Sequence, residues 1–506
     1  MEFEGSNKQV VKNILFNGLN FLVSIINGLL ITPLIFTKLG KEPFVIIQLT
    51  ISISMYATLF ANSLNESLSL ILVLKKELSK NIIYSSATFI YLILVLSFIP
   101  FIFVIVYYSE FIFSISETYI YDSKILLALN LFSFTIIILT NYLTTPIYIN
   151  NRVDTCQQII TSRNVIRTIL ILGAIYFVSN SLIYIGYAYL ASAISLLIVA
   201  YFIFRKALPD VFISYKYVKK EVTKNLVNLG SWSLIFQLGV LVFSYGDIII
   251  ASILLDNNST ADFTALIQWR ILVYSLVGLL LQVFHPIFLK LINNSEDEKI
   301  KKLFLKGLRY LGILATICCA VIFVYSETIL FYWLGTEYLY LDSMLKLIIF
   351  SWGINCAFTI YKSLYLIYNK IREIAIISII FALSHILISC TLIIVFKFDI
   401  YSIIVSSVSL LLIRNIFVYP YFSTSFTTIK VREILREILK FIFVFFTVIV
   451  LYDLLNYYTE NVLSLFNAFF QAIILGGLTI ISCYFTVLNK VERLLIKSKL
   501  QKWILK

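Results

Sequence analysis

The chain has 506 residues, of which 60% are hydrophobic and 13% charged, with a formal net charge of +13 and a mean hydropathy of +0.95. No soluble domain of this length can hide so much apolar side chain, so the class is an all-α polytopic membrane protein. The positive surplus does not point to nucleic acid, because the bases sit in short loops beside apolar runs and form no separate basic domain.

The first apolar run, about 10–37, is too long for a signal-peptide core, and no small-residue cleavage site follows it. It reads as an uncleaved first span. Apolar runs set against polar breaks give fourteen expected spans, each long enough to cross a hydrocarbon core of roughly 30 Å. The first six fall near 11–37, 44–74, 82–108, 125–149, 157–179 and 182–204. Six more fall near 226–255, 262–289, 303–333, 338–368, 374–396 and 400–423, and the last two near 437–456 and 462–488. The expected organisation is an N-terminal six-helix lobe (1–206), a basic linker (207–225), a C-terminal six-helix lobe (226–424), and two further helices with a basic tail (425–506).

Loop charge sets the expected orientation. Lys75, Lys76 and Lys80, then Arg205 to Lys224, then Lys299 to Arg309, then Lys430 to Lys440 all fall on one side. The alternate loops carry acids: Glu110, Glu117 and Asp122; Asp256 and Asp262; Glu327, Glu337 and Asp342; Asp453 and Glu460. By the positive-inside rule both termini are cytoplasmic, in agreement with an even span count. The linker from Arg205 to Glu221 reads either as an amphipathic segment on anionic lipid or as an ordinary solvated connection. Lys12-Asn13 with Gly18 matches Lys224-Asn225 with Gly230 at the same spacing, a short internal similarity of the kind transporter repeats show.

No phosphate loop, no H-E-x-x-H and no nucleophile–base set is present, and the histidines are His285 and His385 alone. The chain therefore reads as neither an ATPase nor another enzyme, with no metal site and no cofactor. The six cysteines include no CxxC pair and read as packing residues.

The informative residues are ionisable groups inside spans, which are costly there and usually face a polar interior or a partner. Arg163 and Arg167, four apart on one helical face, Lys362 and Arg414 are expected in the inner half, with Glu66 in the second span. Asp247 and Arg270 are expected toward the outer half. Basic groups outnumber acids in the inner half, which suits an anionic cargo such as a phosphate. We take Arg270, Arg414, Arg163, Arg167 and Lys362 as candidate cargo contacts, and Asp247 and Glu66 as candidates for coupling to H+ or Na+. Arg163, Arg167 and Lys362 also fit snorkelling, and Asp247 with Arg270 also fits a structural ion pair. His285 before Pro286 reads as a helix end.

The opening Asn17-Gly18 through Asn27-Gly28 to Ile31-Thr32-Pro33-Leu34 and Leu39-Gly40 is similar to the start of Wzx-type O-antigen flippases. So are Tyr245-Gly246-Asp247-Ile248-Ile249-Ile250 and the Asn151-Arg152 turn followed by Arg163 and Arg167. The chain thus resembles the multidrug/oligosaccharidyl-lipid/polysaccharide exporter superfamily. That resemblance implies two lobes in a V and transport of an undecaprenyl-pyrophosphate-linked oligosaccharide across a bacterial inner membrane by alternating access. It also implies membrane lipids and a polysaccharide polymerase machinery as partners. The two helices after Phe422 resemble those of lipid II flippases, and a multidrug exporter of the same superfamily is the other reading.

Overall fold

The computed structural model describes residues 4–74, 79–113, 115–149, 152–178, 181–292, 297–368, 370–459, 465–488 and 493–494. Among these, twelve helices are long and apolar enough to cross a membrane. In chain order, α1 spans Leu15–Leu39, α2 Lys41–Leu68, α3 Lys80–Phe111, α4 Glu117–Ile147, α5 Asp154–Phe177, α6 Leu182–Ala207 and α7 Lys220–Leu254. Next comes α8, Asn257–Ile292, a 36-residue helix. Then follow α9 Asp297–Val324, α10 Thr336–Tyr365, α11 Ile371–Ile394, α12 Tyr401–Ser423 and α13 Val431–Leu455. The last, α14, is Leu465–Thr486, with the apolar stretch Phe470–Phe485. The described residues contain no strand. This is an all-α polytopic membrane protein, as the composition requires: inside lipid, only a helix or a closed barrel satisfies its own backbone.

The helix packing forms two compact units. One comprises residues up to Gln268 together with Lys370–Ser407, and the other comprises Trp269–Asn369 with Val408 onward. In the first unit α4 packs against α6 and α2, α1 against α5, and α7 against both α2 and α11. Its core gathers Leu68, Tyr84, Tyr91, Ile138, Tyr142, Phe204 and Leu226. In the second unit α9 packs against α10 and α13, and α13 against α14. Outward side chains are apolar too: Leu96, Phe103 and Phe202 are 62%, 64% and 67% exposed. Lipid contact accounts for that inversion of the usual surface.

Among the described residues, three spans carry a π-helical turn: Asn27–Ile31 in α1, Val242–Gly246 in α7 and Arg414–Val418 in α12. Each inserts one residue, re-aims the helix face beyond it and frees backbone groups, and such turns concentrate at functional sites. The helix end expected at His285-Pro286 is not there, because α8 continues to Ile292. Membrane helices tolerate an internal proline when neighbouring groups take up the freed carbonyl. The linker is irregular, with one short 3-10 turn at Tyr215–Tyr217, and forms no amphipathic helix.

Candidate functional site

Asp247 stands immediately after the π turn of α7. Its carboxylate Oδ1 lies 2.6 Å from His385 Nε2 on α11, and both side chains are 0% exposed. His385 Nδ1 is 2.9 Å from Ser406 Oγ and 3.3 Å from Ser389 Oγ. Ser406 Oγ in turn donates to the His385 carbonyl at 3.3 Å. Both ring nitrogens of His385 are thus within hydrogen-bond reach of a polar partner, Nε2 of the carboxylate and Nδ1 of two hydroxyls. Phe243 stacks on the imidazole with centroids 4.9 Å apart. The Tyr56 hydroxyl of α2 approaches from another side, where a Cβ at Gly246 would stand 3.1 Å from it. A fully buried ionisable pair inside lipid is expensive and is retained for specificity or for use.

His385 was invisible as a partner in the sequence, because 138 residues separate it from Asp247. One local signal exists. Ser378, His385 and Ser389 recur at helical spacing along a largely apolar span, and all three are buried.

Glu66 on α2 accepts a hydrogen bond from Ser233 Oγ of α7, and Gln237 Nε2 donates to Ser233 Oγ at 3.1 Å. The approach of α2 to α7 is close: a Cβ on Gly230 would lie 2.9 Å from Ser67 Oγ and 3.2 Å from the Ser63 carbonyl oxygen. Gly18, its match in the short sequence similarity, has open space around it. The two glycines therefore do different structural work.

Arg163 and Arg167 sit on α5 within a seam of amides and hydroxyls shared with α1. Asn20 Nδ2 donates to Gln157 Oε1 at 2.9 Å, and Asn164 Nδ2 donates to Asn20 Oδ1 at 3.4 Å. Thr168 Oγ1 bonds Asn27 Oδ1 at the π turn of α1. Arg163 Nη2 reaches Asn164 Oδ1 at 3.4 Å, and the Arg167 guanidinium lies 4.9 Å from the centre of the Tyr189 ring. Arg163 Nε, Asn27 Nδ2 and Thr161 Oγ1 are buried without a partner among the described residues. No carboxylate among the described residues pairs with either arginine. Two like charges one turn apart on a helix repel each other.

In the second unit, Arg414 opens the π turn of α12 and is 6% exposed. Its Nε donates to Asn415 Oδ1 at 3.3 Å and its Nη2 to Asn355 Oδ1 at 3.4 Å. Asn415 Nδ2 also donates to Asn355 Oδ1, at 2.8 Å, and the guanidinium lies 5.2 Å from the centre of the Tyr419 ring. Arg270 is 3% exposed and stacks over Trp352 at 4.7 Å, while Trp352 Nε1 donates to the Arg270 carbonyl at 2.9 Å. Lys362 is half-buried near the end of α10. Tyr361, one residue earlier, is fully buried against Phe304, Phe358 and Tyr419 and serves the core. The cysteines are free, and no group of metal-ligating side chains occurs among the described residues.

The fold defines a multi-pass membrane protein. No protein-family model matches the chain. It is 22% identical over 293 residues to EpsK of Bacillus subtilis strain 168, described as an uncharacterized membrane protein, across 58% of this chain and 57% of that one. The match thus spans little more than half of that relative. Among solved structures it is similar to the lipid II flippase MurJ in an inward closed conformation, with a TM-score of 0.70, 15% identity, and 93% of this chain and 98% of that chain covered. A multidrug resistance MATE transporter of the MOP superfamily, inward-facing, gives a TM-score of 0.65 at 12% identity over 81% and 94%. A MOP transporter of Pyrococcus furiosus, described as having a binding pocket of reversed polarity, gives 0.60 at 14% over 83% and 95%. At these identities the likeness is one of fold.

Proposed function

We propose that the protein is a flippase that moves an undecaprenyl-pyrophosphate-linked oligosaccharide, the unit of an O-antigen or related surface polysaccharide, across a bacterial inner membrane by alternating access. The observation that supports this reading best is the Arg163–Arg167 pair within the α1–α5 seam. A pyrophosphate is a dianionic partner for paired guanidiniums, and Asn20, Asn27, Gln157 and Asn164 offer the amide donors and acceptors that sugar hydroxyls require. Arg270, Arg414 and Lys362 are assigned to the same cargo along its path. The two-lobe division at the linker and cytoplasmic termini belong to the same reading. Asp247, paired with His385, and Glu66 are the sites of coupling to H+ or Na+ in it.

The test is complementation of a strain deleted for this gene, read as a surface-glycan ladder beside lipid-linked intermediates. Wild-type protein restores the ladder. The double variant Arg163→Gln/Arg167→Gln, present in the membrane at wild-type level, leaves single lipid-linked units accumulated. A full ladder from the double variant removes the anionic-cargo assignment from α5. The fold shared with MATE transporters supports multidrug export as a second reading. A normal ladder in the deletion strain with altered drug tolerance decides for export.

A further inference from the structure

The segment that joins α6 to α7 is held in place rather than loosely tethered. Phe212 N–H donates to Asn81 Oδ1, Ser214 N–H to Ser85 Oγ and Lys219 N–H to Ser86 Oγ, each at 3.1 Å, all on the first turns of α3. Val211 is buried in the core of the first unit beside Phe204, Val222 and Leu226. Satisfying backbone N–H groups internally in this way suits a segment with little access to water.

What the segment turns outward is a mixture of aromatics and bases. Phe212 is 67% exposed, Tyr215 79%, Ile213 45% and Tyr217 43%. Arg205, Lys206, Lys216, Lys219, Lys220 and Lys224 are all exposed, against the acids Asp210 and Glu221. Exposed rings alternating with Lys and Arg are stable at the lipid headgroup level and unfavourable in bulk water.

A cleft of about 190 Å³ opens here, lined by Leu143, Tyr201, Phe204, Arg205, Phe212 and Ile213. Arg205 stands over the Tyr201 ring at 5.9 Å and donates Nε to the Tyr201 hydroxyl at 3.4 Å. That contact orients the guanidinium and leaves further N–H groups for an outside acceptor. Below it, Tyr201, Ile198 and Ile194 follow one another at helical spacing along α6, each between 43% and 52% exposed.

We propose that this cleft is a specific site for an anionic glycerophospholipid. Its phosphate sits at Arg205, its glycerol region lies against Phe212 and Ile213, and one acyl chain follows the Tyr201–Ile198–Ile194 stripe. The surrounding lysines supply the field that selects an anionic over a zwitterionic headgroup. The site is separate from the cargo residues, so it stands or falls independently of the transport reading.

The experiment takes purified full-length protein through nanodiscs of equal parts phosphatidylglycerol and phosphatidylcholine. Retained lipid is then quantified by mass spectrometry after a detergent wash. Wild type retains phosphatidylglycerol several-fold over phosphatidylcholine. Arg205→Ala and Phe212→Ser each lower that retention several-fold, while Lys38→Ala, an exposed base elsewhere, does not change it. Thermal melts report that each variant is folded, and a variant that fails this check is replaced by the other. Equal retention of both lipids by wild type, or unchanged retention in the folded variants, overturns the proposal.

Discussion

Two residues in particular can be separated into structural and working roles. Removing one member of the Asp247–His385 pair leaves the other buried without its partner, and such losses cost about 3–5 kcal/mol. His385→Leu and Asp247→Leu alone should each lower thermal stability on that scale. Because an apolar pair of similar volume is often no worse than a buried ionic one, the double variant should recover most of the loss. Transport should stay absent in it. A double variant that recovers both stability and transport would make the pair a packing device. At the start of α8, Asp256 accepts from Asn258 N–H at 2.9 Å and Ser259 N–H at 3.1 Å, capping the helix. Burial works against its charge, but the bonds from Ser259 and Asn258 outweigh it and hold the carboxyl below its ordinary range. A depressed folded pKa means the cap contributes fully above the unfolded value and is lost as pH falls through the folded one. Asp256→Ala should therefore cost about 1 kcal/mol at neutral pH and progressively less in acid, as pH-dependent melting will read.

At the scale of elements, the contact between α7 and α11 carries the buried pair and depends on a missing side chain. A Cβ on Gly239 would fall 2.7 Å from the Ser378 carbonyl carbon and 2.8 Å from its oxygen, so the backbone of α11 would have to move. Gly239→Ala should destabilise by about 1–3 kcal/mol and reduce transport, while remote from any charge. Gly278→Ala on α8, with nothing within 4 Å of the new methyl, should be neutral or stabilising by up to about 1 kcal/mol. Equal effects of the two would deny that helix approach is the cause. The helices themselves were legible, because twenty or more apolar residues between charged loops permit little else in a membrane. The π turns were not. Nothing in the spacing of Val242–Gly246 or Arg414–Val418 marks an inserted residue, and a neighbour of the first, His385 stacked on Phe243, lies on another helix. Asp247 and Arg414 could be singled out from charge alone, but their partners His385 and Asn355 lie on distant helices.

For the whole molecule, the two helices past Phe422 read in the sequence as an addition to a twelve-span body, yet α13 is built into the second unit. Arg309 of α9 makes a two-pronged pair with Glu437, Nε to Oε2 at 2.7 Å and Nη2 to Oε1 at 2.9 Å, and Lys440 closes on the same carboxylate. Arg309 is 7% exposed, so it depends on that partner. One turn along, the Phe441 ring rests on Gly312 so closely that a Cβ there would be 2.2 Å from it. Beyond these, Val444, Cys483 and Val487 form an apolar cluster with Ile313 and Ile317. Truncation after residue 430 would therefore strand a buried cation and uncover a face shaped to receive a ring. The truncated chain should reach the membrane at a reduced level and melt below wild type. Arg309→Met in the truncated background should regain part of that stability, because it removes the stranded charge while keeping the side-chain volume. The same substitution in the full chain should instead destabilise, since there it removes the two-pronged partner of a buried carboxylate and leaves Glu437 with Lys440 alone. Opposite signs for one substitution in two backgrounds are the signature of an integral α13. If Arg309→Met destabilises both chains alike, or the truncation melts as wild type does, α13 and α14 are an appendage and the second unit is complete without them.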